Sequence, residues 1–332
     1  MIYLIQDMCQ IPKKKRVLCY NIVSMILVTG GTGFIGQALV RHLVAAGKPV
    51  RILLRPSPES PDLPRGVAVE VAVSSLKDER GLRSAMKDVN IIFHLAGAER
   101  SGSRSDLEGV DVEGSRVLSQ VARQAGVDRA FFISHLGADR SSAYPVFKTK
   151  AIAEHFFLQN LPLSTIFRTG PVFGPGDQFT TGLARLIQMA PGLFIIPGDG
   201  HSLVQPIWIE DFVACLLIAL DDPTSTGRTI EIGGGEYLTF RGILETVMQV
   251  SEIHRLTITA QPAYVRMLSL WLEQTFPKFP ISIFWLDYLA TDRTCPIDVL
   301  PRRFGVIPAR FHQNLDYLRP GWRPNPLYFE RK

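Results

Sequence analysis

The sequence lacks an apolar run long enough to cross a membrane, because its longest such run covers only residues 212–220. A transmembrane helix needs about 20 consecutive apolar residues. Cysteine is also scarce, and its four positions lack the close spacing of metal ligands: Cys9, Cys19, Cys215 and Cys295. This pattern excludes a disulfide-stapled scaffold, predicts no metal site and is typical of thiols in a reducing cytosol. We therefore expect a cytoplasmic protein that is at most peripheral to a membrane.

Strong charge is missing as well, since the formal net charge is only +5 among 332 residues. The densest basic cluster, residues 13–16, is not accompanied by the aromatic-rich motifs of nucleic-acid-binding domains. Because a short basic run is usually solvated, we expect no nucleic-acid partner. The cluster lies within residues 1–24, which lack the continuous apolar core of a signal peptide. We interpret this segment as an upstream extension or a misassigned start, because Met25 directly precedes the first predicted strand.

Strand-like and helix-like segments alternate through the first half of the chain. Strands are predicted at residues 25–29, 49–54, 67–73, 89–95, 129–134 and 163–168. Helices are predicted between them at residues 34–46, 78–87, 106–125 and 145–160. β-branched strands that alternate with helices are typical of a parallel sheet covered on both faces. Farther on, loops rich in glycine and proline separate helices predicted near residues 180–190, 210–220 and 239–252.

A glycine-rich motif, Thr29-Gly-Gly-Thr-Gly-Phe-Ile-Gly36, directly follows the first predicted strand and opens the first predicted helix. The first glycine of its spaced triplet permits a tight turn, the second lets the backbone approach a pyrophosphate, and the third allows close packing of helix on strand. The helix N-terminus adds unpaired N–H groups and the positive end of a dipole. This context predicts a dinucleotide site formed by Thr29, Gly30, Gly33, Phe34, Ile35 and Gly36.

These patterns together predict an α/β protein built on a doubly wound, parallel Rossmann sheet, with a smaller mixed C-terminal substrate region. We divide the chain into an N-terminal extension (1–24), a NAD(P)-binding Rossmann domain (25–170) and a substrate or partner region (171–332). The last two parts are expected to interleave.

The residue that follows the second predicted strand bears on the choice between NAD and NADP. An acidic side chain there would bind the ribose 2′-hydroxyl and repel a 2′-phosphate. This chain instead has Arg55, and its next carboxylate is that of Glu59. Because a guanidinium group is a permanently charged fork suited to phosphate, we expect NADP(H) to be favoured over NAD(H). The alternative is a solvated arginine at a strand end.

Several motifs carry a resemblance to a known family. The glycine loop, together with His94-Leu-Ala-Gly97, is similar to that of the extended and atypical short-chain dehydrogenase/reductases, which are NAD-dependent epimerase/dehydratase-like. A closer likeness, over about residues 25–250, is to the nucleotide-binding accessory subunit of respiratory complex I and its bacterial relatives. It is carried by Ser-His-Leu-Gly-Ala-Asp at 134–139, Phe-Gly-Pro-Gly-Asp-Gln-Phe at 173–179 and Gln-Pro-Ile-Trp-Ile-Glu-Asp at 205–211.

The resemblance implies a tightly bound NADP(H) and assigns roles to residues by their position. Five of them would line the nucleotide, the last two against the nicotinamide: Leu95, Ala96, Gly97, Pro171 and Val172. Ser134 would take the place of the family's catalytic serine.

Active members of the family place a tyrosine and a lysine four residues apart, where the lysine holds the nicotinamide ribose and the tyrosine passes a proton. Tyr144 and Lys148 have that spacing, but the sequence around Lys150 fits the family's lysine better. Pro145 disfavours a helical conformation at the residue before it, so Tyr144 is expected to flank the helix. We predict Lys150 as the ribose-binding lysine and Tyr144 as a displaced candidate acid. The alternative is a pair of solvated lysines beside a tyrosine that only packs.

Two departures from the family's pattern leave the chemistry open, because Asp111 and Ser75 stand where active relatives carry an asparagine and an aspartate. The first hypothesis is an NADP(H)-dependent oxidoreductase or epimerase-like enzyme that acts on a small or lipophilic substrate. Its catalytic residues would be Ser134, Tyr144 and Lys150, with the substrate near Phe179, Gln205 and Trp208 unless these three only pack.

The second hypothesis is a non-catalytic NADP(H)-binding subunit or assembly factor of a quinone-reducing membrane complex. The aromatic-rich stretch of residues 264–288 would then lie against a membrane or a partner, although aromatics at such spacing are more often core. A nucleotide-sensing regulator is a third hypothesis.

Overall fold

The computed structural model describes residues 25–58, 63–99, 105–275 and 283–322. The N-terminal extension (1–24) and Glu59, the first carboxylate after Arg55, lie outside these described residues. The described strands are β1 (Met25–Thr29), β2 (Val50–Leu54), β3 (Glu70–Val73), β4 (Val89–His94), β5 (Arg129–His135), β6 (Thr165–Thr169), β7 (Val172–Phe173), β8 (Leu193–Pro197), β9 (Leu203–Val204), β10 (Ile207–Trp208), β11 (Thr229–Ile232), β12 (Leu238–Thr239) and β13 (Leu256–Ala260).

The α-helices of the same ranges are α1 (Phe34–Ala45), α2 (Glu79–Ala85), α3 (Gly114–Ala125), α4 (Pro145–Asn160), α5 (Thr180–Met189), α6 (Ile209–Asp221), α7 (Phe240–Val250), α8 (Pro262–Thr275) and α9 (Ile283–Tyr288). Short π- or 3₁₀-helical turns lie at Glu108–Glu113, Pro223–Ser225, Leu300–Phe304, Phe311–Asn314 and Asp316–Leu318. No helix in these ranges combines the length and the apolarity that crossing a bilayer requires.

Seven strands form one parallel sheet in the order β11-β6-β5-β4-β1-β2-β3. The chain builds outward from β1 in one direction through β2 and β3, and in the other through β4, β5 and β6. The predicted doubly wound Rossmann sheet is therefore confirmed. In such a sheet, ligands bind beyond the carboxyl ends of the strands, where the order reverses. Here that point lies between β1 and β4.

The two faces of the sheet bury separate apolar clusters, because side chains alternate along a strand. On β1, Ile26 and Val28 belong to the cluster that includes residues of α1 and α6. Leu27 points to the opposite cluster, which includes residues of α2, α3 and α4. Both layers are almost entirely excluded from water, so the carboxyl edge of β1 is held rigidly from above and below.

Helix ends follow the signals in the sequence. The Asp78 side chain caps α2 by accepting the N–H groups of Arg80 and Gly81. Gly126 ends α3 with φ of +77°, a left-handed conformation that glycine adopts without strain.

The chain after β6 contributes both to the sheet and to a second layer. α6 and β11 belong to the Rossmann part, whereas α5, α7 and α9 surround a third apolar cluster with the first turn of α4. A small parallel pair, β8 with β13, lies at the edge of this region. The division at residue 170 stays a prediction.

Candidate functional site

The loop between β1 and α1 has the geometry of an anion-binding turn. Gly30 adopts φ of +73°, and a Cβ atom added at Gly36 would collide with the Gly30 carbonyl oxygen. α1 begins after Gly33, which provides no capping side chain, and its first turn contains no carboxylate. The first N–H groups of α1 are thus left without a side-chain acceptor, at the positive end of the helix dipole. These features fit a pyrophosphate.

The segment after β4 lies directly against this turn. The Leu95 N–H donates to the Thr29 carbonyl oxygen at 3.1 Å, and a Cβ atom added at Gly30 would lie 2.7 Å from the Leu95 carbonyl carbon. The structure therefore brings the glycine loop and the Leu95-Ala96-Gly97 segment together at the switch point of the sheet. Phe34 and Ile35, in the first turn of α1, are half-buried beside them.

A buried histidine ties these strands to α3. His94 Nδ1 lies 2.6 Å from Thr29 Oγ1, and His94 Nε2 lies 3.2 Å from Ser115 Oγ. Burial, reinforced by the charge of Lys150, lowers the pKa of His94 to about 3. The ring is therefore neutral at physiological pH and joins the two strands to α3 through hydrogen bonds. The Thr29 hydroxyl is occupied by one of these bonds.

Lys150 is the centre of a buried charged cluster at the same edge. Its Nζ atom lies 2.8 Å from Asp111 Oδ1 and 3.5 Å from Glu99 Oε2, with only 3% of its side chain exposed. A Cβ atom added at Gly97 would lie 2.7 Å from Nζ, so only glycine leaves room for the ammonium group there. Asp111 Oδ2 also accepts the Ala98 N–H, which fixes the loop after β4 on the cluster.

The cluster sets the charges of its members. Burial alone would lower the pKa of Lys150, but Asp111 and Glu99 outweigh it, and the pKa lies above its ordinary value. Burial likewise favours a protonated Glu99, yet Lys150 and His135 hold the pKa of Glu99 well below its usual range. Lys150 is therefore a permanent cation between two carboxylates.

Ser134 lies at the carboxyl end of β5, fully buried, and its hydroxyl has no hydrogen-bond partner among the described residues. A buried hydroxyl without a partner costs free energy, so such a group calls for an explanation. One explanation is that the hydroxyl binds a substrate oxygen at the sheet edge, which matches the role predicted for this serine.

Tyr144 is the N-cap residue of α4 with extended backbone (φ −92°, ψ 119°), in agreement with the restriction that Pro145 imposes. Its ring packs edge-on against Phe147. Lys148 is exposed, whereas Lys150 is buried in the cluster, so the tyrosine and the buried lysine are six residues apart instead of four. The structure does not bring them together in the i, i+4 arrangement.

Three further polar side chains at this edge of the sheet were not predicted from the sequence, those of His135, Tyr288 and Arg293. His135 Nε2 lies 3.6 Å from Glu99 Oε1, and it, the Tyr288 hydroxyl and the Arg293 Nε all lack hydrogen-bond partners within the described ranges. Glu99 lies two residues after the His94-Leu-Ala-Gly97 motif, and His135 directly follows the predicted strand 129–134, so a signal for both was available. Tyr288 ends the aromatic-rich stretch of residues 264–288, whereas Arg293 lies in a part of the sequence without a recognisable motif.

The remaining predicted cofactor-binding residues follow the carboxyl ends of strands β2 and β6. Arg55 is exposed just after β2 and forms no ion pair with any described residue, whereas Arg51 is bound to Glu70 and to backbone carbonyls. Pro171 is buried and Val172, in β7, is half-buried, and the Pro171 carbonyl accepts the Ile207 N–H.

The substrate contacts suggested at Phe179, Gln205 and Trp208 have structural partners. The Gln205 amide is buried and bonded to the Gly234 carbonyl and the Cys295 N–H. Phe179 packs on Trp285, and Trp208 packs on Phe173. These contacts fit the packing alternative.

Comparison with known proteins agrees with this geometry. A family model described as NAD(P)H-binding matches residues 30–159. The chain is 30% identical over 279 residues to sterol demethylase protein B of Methylococcus capsulatus, a match that covers 76% of this chain and 82% of that protein. The chain belongs to the atypical and extended short-chain dehydrogenase/reductases. The predicted membership of this family and the predicted NAD(P)-binding function are thereby confirmed.

Two further relatives match this chain over different fractions of their own length. The ceramide reductase of Caulobacter vibrioides is 28% identical over 92% of this chain and 98% of its own length. A mitochondrial protein of Arabidopsis thaliana, NADH dehydrogenase [ubiquinone] 1 alpha subcomplex subunit 9, is 29% identical over 74% of this chain. That match spans 61% of the plant subunit.

Solved structures share the fold of this chain. UDP-glucose 4-epimerase of Thermus thermophilus, in complex with NAD, superimposes with a TM-score of 0.67 over 89% of this chain and 97% of that one, at 21% identity.

Proposed function

We propose that this dehydrogenase/reductase is an NADP(H)-dependent oxidoreductase that acts on a lipophilic small molecule. The observation that carries the proposal is the buried Lys150 cluster beside Gly97, with the unpaired Ser134 hydroxyl at the same sheet edge. Burying the charged Lys150 cluster costs free energy, and so does burying the unpaired Ser134 hydroxyl. A bound ligand would offset both costs. The names of two relatives that span most of this chain, a ceramide reductase and a sterol demethylase protein, support a lipid-like substrate.

The binding roles follow from the loops. The N–H groups at the start of α1 would hold the pyrophosphate, and Lys150 would bind the nicotinamide ribose while keeping its charge. Leu95, Ala96 and Gly97 would line one side of the nucleotide, with Pro171 and Val172 on the nicotinamide side. When bound, the nicotinamide supplies or accepts a hydride.

Proton transfer needs a group that can reach the substrate oxygen. Ser134 would donate a hydrogen bond to that oxygen. Tyr144 remains the predicted acid, and His135, which faces Glu99 at 3.6 Å, is a second candidate. A Tyr144→Phe variant and a His135→Gln variant separate them, because only the residue that transfers the proton should change the pH profile of kcat.

Preference for NADP(H) rests on Arg55. Its guanidinium is exposed at the end of β2 without an ion pair in the described part of the chain. It would be free to bind a 2′-phosphate bidentately.

The test uses two serines that differ only in location. Ser134 and Ser164 are both fully buried with unpaired hydroxyls, but Ser164 lies at the opposite end of the sheet, just before β6. Purified protein would be assayed for loss of NADPH absorbance with 2-octanone and methyl 3-oxooctanoate. We expect turnover by the wild type, a loss of at least ~10-fold in kcat for Ser134→Ala, and wild-type activity for Ser164→Ala. No turnover with either probe, or equal activity of both variants, would contradict the proposal.

One observation favours a second candidate function, a nucleotide-binding subunit attached to a larger membrane-associated complex. On α8, Tyr264, Met267, Leu268 and Trp271 are exposed to between 43% and 69%. Their i, i+3, i+4, i+7 spacing puts them on one helix face, whereas the buried Ser269 lies on the far side of the helix. An apolar stripe of this kind on a protein surface often marks a contact with a partner.

Affinity purification from native membranes tests this candidate. Trp271→Asp should abolish co-purification of membrane subunits, whereas Ile307→Asp, at another exposed apolar residue, should leave it unchanged. If the wild type brings down no membrane subunit, the second candidate is rejected.

A further inference from the structure

Arg293 is a buried arginine with unusual surroundings. Only 8% of the residue is exposed, and its guanidinium carbon lies 3.9 Å from the centre of the Phe147 ring and 5.9 Å from that of Tyr288. It also packs against Gly137, where any Cβ atom would overlap Nη1. The loop after β5 therefore has a glycine at the position where the guanidinium needs room.

The backbone of this arginine is fixed. The Arg293 N–H donates to the Leu203 carbonyl at 2.8 Å, and residue 293 forms a β-bridge with Val204. The preceding Asp292 accepts the Leu203 N–H. The side chain is thus presented from a rigid strand edge, not from a free loop.

What the guanidinium lacks is an anion. No hydrogen bond or ion pair joins its side chain to any residue in the described ranges, and its Nε atom is buried without a partner. Burial lowers the pKa of Arg293, and the ionisable groups that influence it are Tyr288 and Tyr144, not a carboxylate. Aromatic faces attract a cation, but they leave its five N–H donors unbonded.

The neighbours of Arg293 connect it to the site described above. Phe147 packs edge-on against Tyr144 and His135, and Tyr288 packs edge-on against His135. Phe284 lies beside the same histidine at 5.3 Å. A ligand on Arg293 would therefore lie between aromatic rings, within reach of the candidate catalytic residues.

We infer that Arg293 binds the carboxylate of the substrate, which is a lipophilic molecule that carries both a carboxylate and the reacting oxygen. That the ligand also carries a reacting oxygen rests on the proposed function. That Arg293 binds a carboxylate does not. A single planar guanidinium matches one carboxylate bidentately. The other buried cation of the site, Lys150, is already neutralised by Asp111 and Glu99, so a doubly charged phosphate would lack a second partner.

The experiment is calorimetric titration of the NADPH-loaded protein with octanoate, octanamide and octyl phosphate. Octanamide has the shape of octanoate without its charge. We expect octanoate to bind at least ~10-fold more tightly than octanamide, and octyl phosphate to bind no better than octanoate. Equal affinity for octanoate and octanamide, or tighter binding of octyl phosphate, would overturn the inference. This comparison needs only the wild-type protein.

Two variants then locate the effect. Arg293→Gln should bind octanoate and octanamide equally while retaining wild-type affinity for NADPH. Arg303→Gln should keep the preference for octanoate, because Arg303 also lies near a phenylalanine ring but is exposed. A preference for octanoate that survives in Arg293→Gln would reject the inference. Absence of NADPH oxidation would reject the proposed reduction alone, since the octanoate preference is measured without turnover.

Discussion

The ammonium group of Lys150 lies 2.8 Å from the carboxylate of Asp111, on two elements 39 residues apart in the sequence. The resemblance drawn from the sequence implies an asparagine at this position in active relatives. Here the contact is a buried ion pair, and Glu99 supplies a second carboxylate at 3.5 Å. The two carboxylates fix the predicted ribose-binding lysine at the carboxyl edge of the sheet.

Removal of the Asp111 carboxylate should destabilise the protein. Breaking a buried ion pair leaves a desolvated charge, so Asp111→Ala should lower the free energy of unfolding by about 3 kcal/mol. Asp111→Asn should cost about half as much, because an amide oxygen can still accept the Ala98 N–H and the Lys150 ammonium. Urea denaturation at neutral pH measures both. The control is Asp221→Ala, which breaks the exposed pair with Lys48 and should cost less than about 1 kcal/mol. An equal loss for Asp221→Ala and Asp111→Ala would contradict this account.

A methyl group at Gly36 should disrupt nucleotide binding. The added Cβ would collide with the Gly30 carbonyl oxygen and push the turn away from the start of α1. We expect Gly36→Ala to weaken NADPH binding, measured by calorimetry, by at least ~10-fold. Gly182→Ala is the matched control, because nothing lies within 4 Å of its added Cβ and it is helical. That variant should be more stable by about 0.5 kcal/mol with unchanged NADPH affinity. Wild-type affinity in Gly36→Ala would show that the turn does not hold the pyrophosphate.

The sheet and its helices were predictable because their signals are local. The strand β1 and the helix α4 have the predicted bounds, 25–29 and 145–160, since alternation, glycine and proline fix them within a few residues. The displacement of Tyr144 from the helix also followed from one neighbour, Pro145. Local chemistry decides these features without any knowledge of distant contacts.

Other features depend on contacts between distant segments. α8 was not predicted as a helix, and β13 pairs with β8 across about sixty residues. The approach of Arg293 to Phe147 depends on a strand bridge at Val204 and on space left by Gly137. No periodicity in the sequence encodes such an encounter, because it arises only when two regions of the fold pack together.

Arg55 should decide the choice of cofactor. Replacing it with serine removes the charged fork but leaves the strand end intact, so NADPH affinity should fall at least ~10-fold while NADH affinity stays within about twofold. Competitive titration of the two nucleotides measures the ratio. Arg228→Ser, at an exposed arginine before β11, should keep the wild-type ratio. A wild type that binds NADH as tightly as NADPH would show that Arg55 is only a solvated side chain.

The neutral state of His94 should make stability depend on pH. Burial and the Lys150 charge lower its pKa from 6.5 to about 3 in the fold, so the unfolded chain binds a proton first as the pH falls. Stability that is fully present above pH 6.5 is therefore lost progressively toward pH 3, at about 1.4 kcal/mol per pH unit. Between pH 7 and pH 5, we expect the free energy of unfolding to fall by about 2 kcal/mol from this residue.

The pH window separates His94 from the carboxylates. Glu99 keeps its charge to below its ordinary pKa of 4.5, so its contribution is lost only at lower pH. Urea denaturation at pH 7 and pH 5 should show that His94→Gln loses most of the wild-type difference between the two conditions. His155→Gln, at an exposed histidine of α4, should retain it. If His94→Gln retains the full pH difference, then folding does not depress the pKa of His94, and the pH dependence arises from other groups.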